Sequence, residues 1–346
     1  MSSDVADPSR ARGAFGEGPR GGEGRCPTTA SPPNAAVCPD GRVSGGRGGV
    51  DTKGVHKPLG REKRRFFADI HRMANKNRSR KSEENFHIYT VDGINFARTC
   101  KITDIPAGEG DELYVDCLPV ELTDEFVEVL RRGVKILYLR RLTILAKKRK
   151  ELQLSKTSRN DIKLLMALDP KWFREVDENY LVMRRLTAAF RSLLRTHASI
   201  LNKAKALQDA EKNVLMKSAR AVEESMMELA SSIVSEAEKR YPYFNKVVEV
   251  IGITGENHLL AREALAEIMP YIERTRSFKR LKRFFGLFEA KNRVNKIYSK
   301  TARYALSRLT AAVLKNTHHR ARDEEQLLKR IWKTVKETRE RLGAPA

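Results

Sequence analysis

Two short apolar runs in this chain each end on or near an aspartate, and a third aspartate lies near the start of a predicted helix. These residues are Asp92 in the run 88–92, Asp116 in the run 113–117, and Asp161 in the segment 156–161. Carboxylate oxygens are the ligands that Mg²⁺ prefers, and adjacent strand ends can bring them together. The pattern therefore indicates a metal site for phosphodiester chemistry. Aspartates at strand ends also cap turns, and Asp161 is equally compatible with an ordinary helix position.

The order of elements around these aspartates predicts an α/β sheet. Strands are predicted at 88–92, 94–102, 113–117 and 134–139. The first two form a hairpin that turns near Gly93. Between the last two, Thr123 is a suitable helix N-cap and Gly133 a suitable helix stop. A β-β-β-α-β order followed by a helix is what an RNase H-like (RuvC-like) sheet requires, so we predict that fold for residues 86–170.

Long amphipathic helices follow the predicted sheet. Apolar residues recur at three- and four-residue steps over 173–207 and again over 210–240. Such helices form an antiparallel or an intermolecular coiled coil, and we predict a coiled-coil insertion over 171–242. The methionines in these helices are interpreted as core residues and not as a cofactor site.

The C-terminal region carries a glycine turn and then a basic helix. Gly252 and Gly255 precede a predicted helix at 259–268, as in a helix-hairpin-helix that grips a DNA phosphate, although a plain helix connection fits equally well. Cations alternate with apolar residues in the segment that follows. The residues predicted to bind DNA are Gly252, Gly255, Arg276, Lys279, Arg280, Lys282, Arg283, Lys291 and Arg293. We predict an α-helical DNA-binding domain over 243–318 and a charged C-terminal helix over 319–346.

Charge favours a polyanionic partner. The chain has 67 Lys and Arg against 44 Asp and Glu, a net charge of +23. Binding a nucleic acid releases condensed counterions, so a charge of this size favours DNA or RNA. A ribosome-associated protein, or a merely basic one, is the alternative. The four cysteines form no Cys-x-x-Cys pair, and neither a membrane-spanning segment nor a secretory signal is recognisable. These features predict no zinc site, no membrane partner and a cytoplasmic location.

The N-terminal part is low in apolar residues. Residues 1–60 are rich in Gly, Pro, Ser and Arg and are predicted to be disordered. Residues 61–85 are strongly basic and are interpreted as a phosphate-contacting arm or as a solvated lead-in. Because the predicted fold begins only after this region, one hypothesis places the true start of translation at Met73.

The chain resembles the DEDD transposases of the Piv/MooV invertase type, which are bridge-RNA-guided insertion-sequence recombinases. The similarity runs from about residue 88 to 314. Asp92 matches the family's first aspartate, and 115–117 occupies the place of its Val-Glu-Ala-type motif. The segment 156–162 is similar to its Lys-Thr-Asp-x-x-Asp-Ala signature. Further similar segments are 173–176, 184–186, 250–255, 276–281, 285–287, 297–300 and 304–306.

The resemblance implies a Mg²⁺ site with Asp92, Asp116 and Asp161 as ligands and Ser158 as a weak fourth. Two departures stand out. Ser158 replaces an aspartate of the signature, and a hydroxyl is a poor Mg²⁺ ligand beside a carboxylate. The family's nucleophilic serine lies in a Ser-Gly-Gly loop, whereas 288–296 contains neither Ser nor Gly, which leaves Ser299 as the nearest hydroxyl.

Two functions follow as hypotheses. The first is a transposase-like DNA recombinase that uses Mg²⁺, acts on DNA with a structured guide RNA as a possible second partner, and forms a homodimer or homotetramer through its coiled coil. The second is a catalytically degenerate descendant that binds DNA or RNA. A coiled-coil assembly factor for an RNA–protein particle is a third idea, which the strand-borne aspartates disfavour.

Overall fold

The computed structural model describes residues 63–72, 86–288 and 298–343. All of them belong to one compact unit that begins at Arg61. Several predictions concern residues outside these ranges. They are the disorder of 1–60, the start at Met73, most of the basic residues of 61–85, and the DNA contacts Lys291 and Arg293.

A mixed β-sheet forms the N-terminal part of the described chain. Its strands are β1 (Arg65–Asp69), β2 (His87–Thr90), β3 (Ala97–Thr99), β4 (Glu112–Val115), β5 (Lys135–Leu139) and β6 (Phe173–Glu175). They lie in the order β3-β2-β1-β4-β5-β6. β1, β4 and β5 are parallel, and β2, β3 and β6 each run antiparallel to the neighbour they follow in the chain. Three central strands therefore end at the same edge of the sheet.

The strand β1 is a correction to the sequence interpretation, which assigned 61–85 to a basic arm. Phe66, Phe67 and Ala68 are buried, and the strand pairs with both β2 and β4 at the centre of the sheet. The flanking cations concealed this short apolar run. A chain that started at Met73 would lack this central strand.

The other predicted strands are present in shorter or shifted form. β4 and β5 confirm the runs predicted at 113–117 and 134–139. The run predicted at 94–102 contracts to β3, and Ile102–Asp104 forms a single 3₁₀ turn. The segment 173–175, predicted to be helical, is the edge strand β6, and Asp177 begins the helix by accepting a hydrogen bond from the Tyr180 backbone at 2.7 Å.

Side chains alternate between the two faces of the sheet, and each face packs against a different apolar core. Phe66, Ala68, Leu113 and Val115 face one core, which is covered by the helices α1 (Thr123–Arg131) and α4 (Glu178–Ala204). Phe67 and Tyr114 face the other core, which is covered by α2 (Thr143–Glu151) and α3 (Ser158–Ala167). A shift of the register by one residue would turn each strand's side chains to the opposite face, so both cores would be disrupted at once. Each large apolar side chain that became exposed would cost about 1.5–3 kcal/mol of folding stability.

The two predicted long helices form a hairpin within one chain. α4 is followed by α5 (Asp209–Arg240) after the short connection 205–208, and the two helices pack along each other. Met183, Phe190, Met226 and Ile233 are buried in the core at the base of this hairpin. This burial supports the interpretation of the methionines as core residues.

Five shorter helices complete the described chain. They are α6 (Phe244–Ile251), α7 (Leu259–Glu273), α8 (Phe278–Phe284), α9 (Lys300–Leu314) and α10 (Ala321–Arg341). Together with the base of the hairpin they share one apolar core. α10 contributes Leu328 and Ile331 to that core, so the segment predicted as a separate charged helix is part of the same packing unit. In the ranges that the structure describes, no helix has both the length and the apolar character to cross a membrane.

A buried ionic network joins three helices of this core. Arg308 of α9 lies 2.6 Å from Glu263 Oε2 and 2.9 Å from Glu267 Oε2, both on α7. Arg191 of α4 lies 3.0 Å from Glu267 Oε1. Glu263 is 0% and Glu267 3% exposed. Burial raises the pKa of Glu263 to about 7, although Arg308 acts in the opposite direction. The network therefore depends on its arginines for charge compensation.

We expect Arg308→Ala to destabilise the protein by about 3–5 kcal/mol, because it leaves the buried Glu263 without its main counterion and Glu267 with Arg191 alone. Chemical denaturation followed by circular dichroism measures this free energy of unfolding. Arg330→Ala, at an exposed position of α10, is the matched control and should stay within about 0.5 kcal/mol of the parent protein. A destabilisation by Arg308→Ala no larger than that of the control would contradict the prediction.

Candidate functional site

Two aspartates extend neighbouring parallel strands at the carboxyl edge of the sheet. The register pairs Phe67 with Tyr114 and Ala68 with Val115, so Asp69 and Asp116 are the next residues in line. Because side chains alternate along a strand, Asp69 and Asp116 point to the same face as Phe67 and Tyr114, whose rings stack at 4.8 Å. That face is covered by α2 and α3. Both aspartates are buried, and the Ile70 backbone N–H donates to Asp116 Oδ1 at 3.0 Å.

This juxtaposition strongly perturbs the ionisation of Asp116. Burial raises the pKa of its carboxyl to about 7, and the negative charge of Asp69 contributes to the same shift. The hydrogen bond from Ile70 acts in the opposite direction without cancelling it. The carboxyl edge of the sheet therefore holds a pair of acidic groups whose mutual repulsion is incompletely compensated.

The first turn of α3 brings two further predicted residues to the same place. Thr157 caps the helix, since its Oγ1 accepts a hydrogen bond from the Asn160 backbone at 3.2 Å. Ser158 and Asp161 lie three positions apart and so share one helix face, and both are buried. Burial and the charge of Asp69 raise the pKa of Asp161, whereas Arg149, with its Nε 3.1 Å from Asp161 Oδ1, lowers it.

His71 links the strand aspartate to the helix serine, and the sequence interpretation missed it. Its Nε2 lies 3.2 Å from Asp69 Oδ2 and 3.1 Å from Ser158 Oγ. Its backbone N–H donates to His87 Nδ1 at 3.2 Å. Burial lowers the pKa of His87 to about 4, so that ring is neutral at physiological pH. The signal for His71 was present in the run Phe-Phe-Ala-Asp-Ile-His, but only with 65–69 assigned as a strand does it place Asp69 and His71 at a sheet edge.

Asp92 is not part of this group, which corrects the sequence assignment. β2 runs antiparallel to β1, with Ile88 opposite Asp69 and Thr90 opposite Phe67. The chain beyond Thr90 therefore leads toward the amino end of β1, roughly 13 Å from Asp69 at about 3.3 Å per residue. Asp92 is exposed and forms an Asx turn. Its carboxylate accepts hydrogen bonds from Ile94 N, Asn95 N, Asn95 Nδ2 and Thr90 Oγ1. The backbone hydrogen bonds from Asn95 and Ile94 hold its pKa well below the usual range.

Ser299 has a local structural role in the described chain. Its Oγ accepts a hydrogen bond from the Ala302 backbone at 3.2 Å and so caps α9, and its own N–H donates to the Phe284 carbonyl at 3.0 Å. None of these contacts reaches the strand aspartates. The structure thus brings together Asp116, Ser158 and Asp161 of the predicted set, adds Asp69 and His71, and separates Asp92 and Ser299 from them.

The predicted DNA-binding residues fall on two features of the C-terminal helices. Gly252 ends α6 with a left-handed φ of +78°, and its N–H donates to the Val248 and Glu249 carbonyls of that helix. Gly255 follows in the turn that leads to α7. The Gly252 N–H is therefore used within the protein and is not displayed for a phosphate. The helix connection is present, and a hairpin that grips DNA stays a prediction.

Most of the predicted cations on and beside α8 lie at the surface. Arg276, Lys279, Arg280 and Arg283 are exposed, whereas Lys282 forms a 2.7 Å ion pair with Glu325. Leu281 and Phe285 are buried against the core. This amphipathic arrangement confirms that the apolar residues face inward and the cations outward.

The donor chemistry of the carboxylate group suits a hard divalent cation such as Mg²⁺. Asp69 lies beside Asp116, where burial and the charge of Asp69 already disfavour the ionised form of Asp116, so a cation there would relieve an existing repulsion. Within the described ranges no three His, Cys, Asp or Glu side chains form a ready-made metal cluster, and Asp161 is paired with Arg149. Asp69, Asp116 and, after release from Arg149, Asp161 are the residues that would hold the ion.

A comparison with models of known protein families finds no family that matches this chain. A comparison with curated proteins finds no significant match either. The chemistry of the site is therefore inferred from its own geometry.

We expect the free energy of unfolding, measured in EDTA, to fall as the pH rises from 5 to 7.5. The folded-state pKa of Asp116, about 7, lies above the ordinary value of 3.8, so the folded protein binds the extra proton in this window and loses that stabilisation as the pH rises. Asp116→Asn should remove about 2–3 kcal/mol of this fall, since one pKa unit corresponds to about 1.4 kcal/mol.

Asp92→Asn is the matched control for this prediction. Its hydrogen bonds hold the pKa of Asp92 below the window, so the variant should keep the pH dependence of the parent protein. An Asp116→Asn protein with an unchanged pH profile would show that Asp116 is ionised normally.

Proposed function

We propose that this protein is a metal-dependent phosphodiester-transfer enzyme, a transposase-like DNA recombinase built on an RNase H-like sheet. The observation that carries the proposal is the placement of Asp69 and Asp116 side by side at the carboxyl ends of adjacent parallel strands, with Asp161 of α3 on the same face. The order β3-β2-β1-β4-β5, with β2 antiparallel to its neighbours, supports the RNase H-like interpretation.

The carboxylates and His71 would have separate roles in this proposal. A Mg²⁺ ion held by Asp69, Asp116 and Asp161 would supply charge stabilisation at the phosphate oxygens. His71 Nε2 lies between Asp69 and Ser158, where it can hold or release a proton beside the reacting phosphate. Arg149, paired with Asp161, compensates the third carboxylate while that residue is not binding a cation.

The charge of the chain supports a nucleic-acid substrate. The net charge is +23, and α8 presents exposed cations on one face. The same proposal includes DNA as the substrate and a structured guide RNA as a possible second partner. It also includes assembly into a homodimer or homotetramer through the α4–α5 hairpin. Exposed apolar residues on the hairpin, Val214 at 63% and Met227 at 39%, support a second copy of the chain as the hairpin's partner.

We expect Asp69→Asn to reduce Mg²⁺-dependent nicking of supercoiled plasmid by at least about 100-fold, since even outer-shell changes at metal sites cost 10–100-fold. Its DNA affinity should stay within about twofold of the parent protein, because a single buried carboxylate contributes little to phosphate binding. Agarose-gel assays with Mg²⁺ and with EDTA measure the nicking.

Asp92→Asn is the isosteric control, and it should nick at the rate of the parent protein because its carboxylate lies in the exposed turn. Equal activity of Asp69→Asn and the parent protein would remove Asp69 from the active site. Loss of activity only in Asp92→Asn would favour the assignment of Asp92 made from the sequence.

A second candidate function is a catalytically degenerate nucleic-acid-binding protein. Two observations favour it. Ser158 supplies a hydroxyl bonded to His71 in place of a fourth carboxylate, and Asp161 is engaged by Arg149. Such a protein would keep the basic surface of α8 and bind DNA or RNA without strand transfer.

Under either function, we expect the double variant Arg280→Ala, Arg283→Ala to weaken DNA binding. It should also lower the slope of log affinity against log salt by about one unit for each phosphate that the protein no longer neutralises. Fluorescence anisotropy over a series of salt concentrations measures both quantities.

The double variant Lys329→Ala, Arg330→Ala is the control. It removes the same charge from an exposed part of α10 and should leave the slope closer to that of the parent protein. Equal slopes for the two double variants would locate the DNA surface elsewhere.

A further inference from the structure

A crevice opens between the carboxyl ends of β4 and β5. The chain leaving β4 passes to α1 on one face of the sheet, whereas the chain leaving β5 passes to α2 on the opposite face. In open α/β sheets, ligands bind in the crevice that forms where successive connections diverge in this way. Asp116 lies at its rim, so the crevice adjoins the candidate carboxylate site.

The crevice is a cavity of about 450 Å³ with a strongly basic wall. Arg140, Arg141 and Arg184 line it together with Asp116. Arg184 is fixed by a hydrogen bond from its guanidinium to the Leu118 carbonyl. The Arg140 backbone N–H donates to the Trp172 carbonyl at 3.1 Å, which holds the start of the β5–α2 loop. Among the described residues, the guanidinium groups of Arg140 and Arg141 have no ion-pair partner. The cavity thus concentrates positive charge next to the carboxylates.

A second cavity, of about 660 Å³, shares the lining residue Arg140 with the first. It lies between the edge strand β6 and the helix α10. Six cations and four carboxylates line it. The cations are Arg140, Arg174, Arg274, Arg276, Lys336 and Arg339. Two carboxylates are neutralised locally, since Asp177 pairs with Arg274 and Glu340 Oε1 lies 3.7 Å from Lys336 Nζ. The six cations exceed the four carboxylates by two, so the lining carries a net positive charge that favours an anion.

An aromatic ring with a fixed orientation forms part of the second cavity. Trp332 donates from Nε1 to the Thr275 carbonyl at 3.4 Å, and its ring centroid lies 5.7 Å from that of Phe278. Lys336 Nζ lies 5.7 Å from the Trp332 ring centroid. An aromatic side chain beside cations in a groove is the arrangement that single-stranded nucleic acid uses, because bases stack on the ring while phosphates meet the charges.

We propose that one single-stranded nucleic-acid segment lies along both cavities, with a phosphate at Arg140 and a base against Trp332. Cavities of this size fall within the range of about 300–1,000 Å³ that encloses small ligands, which suits a few nucleotides of one strand and not a duplex. We call these two cavities, from Asp116 through Arg140 to Trp332, the single-strand track. The proposal rests on the proposed function only in taking the Asp116 end of this track as the end where the reaction occurs.

Trp332 provides a local readout of occupancy. The chain has two tryptophans, so Trp172→Phe leaves Trp332 as the sole source of tryptophan fluorescence. Titrating this full-length variant with oligothymidylates of 4 and 12 nucleotides in EDTA should quench Trp332. The quenching and the anisotropy of a labelled oligonucleotide should give the same Kd, with tighter binding by the longer strand.

Arg140→Ala in the same background should weaken binding about 5- to 10-fold, because it removes a charge-assisted phosphate contact at the junction of the two cavities. The residue is exposed, so the substitution leaves the core intact. Arg330→Ala is the matched control for the removal of one arginine and should change the Kd by less than about twofold. Absence of Trp332 quenching, equal quenching by duplex DNA, or an unchanged Kd for Arg140→Ala would overturn the proposal.

The experiments can reject the single-strand track without rejecting the proposed function, and they can reject the proposed function without rejecting the track. Binding is measured in EDTA and cleavage in Mg²⁺. Normal binding by Arg140→Ala, with cleavage abolished in Asp69→Asn, would refute the track and keep the enzyme. Quenching that depends on Arg140, in a protein that never nicks DNA, would keep the track and favour a binding protein.

Discussion

The parallel pairing of β1 with β4 is the interaction on which the rest of this structure depends. It aligns Phe67 with Tyr114 and thereby sets Asp69 beside Asp116. The alternation that buries Phe66 and Ala68 in one core turns Phe67 and Asp69 to the other side, toward α3. A shift of one residue would turn the carboxylate away from α3 and expose the apolar side chains together. The stability of the sheet and the geometry of the site are therefore set by the same register.

Two groups of buried charges in this structure are compensated differently. In the helical core, Arg308 and Arg191 neutralise Glu263 and Glu267, and the result is a connection between helices. At the sheet edge, Asp116 has an aspartate as its neighbour, and its pKa is raised to about 7. Folding tolerates this repulsion at a cost in stability. Strongly perturbed ionisation of this kind is typical of functional sites, which is why the proposed chemistry is placed there.

The cations of the chain also divide by position. Those of α8 project from the surface, where they suit the phosphates of a duplex. Arg140, Arg141 and Arg184 line a crevice beside Asp116 and suit the phosphates of a single strand. A recombinase needs both kinds of contact, since it must hold a duplex and expose one strand to the reacting groups. A binding protein without strand transfer can use either kind of contact, so Mg²⁺-dependent cleavage, and not single-strand binding, distinguishes the two proposed functions.

The sequence by itself determined the features that depend on neighbouring residues. The helix stop at Gly133 and the long helical periodicities are local, and they correctly located the end of α1 and the α4–α5 hairpin. Ser158 and Asp161 could be assigned to one face because they lie three residues apart on a helix. Asp116 could be assigned to a strand end because its apolar run is uninterrupted.

Only the tertiary structure decided which strand supplies the partner of Asp116. Asp92 and Asp69 both follow short apolar runs, but β2 runs antiparallel to β1, so the two aspartates lie toward opposite edges of the sheet. Strand direction and order depend on pairings between residues far apart in the chain, and no local pattern records them. The same long-range packing brings His71 to Ser158 and Arg140 to both cavities, because each contact joins segments that only the folded sheet and helices place side by side.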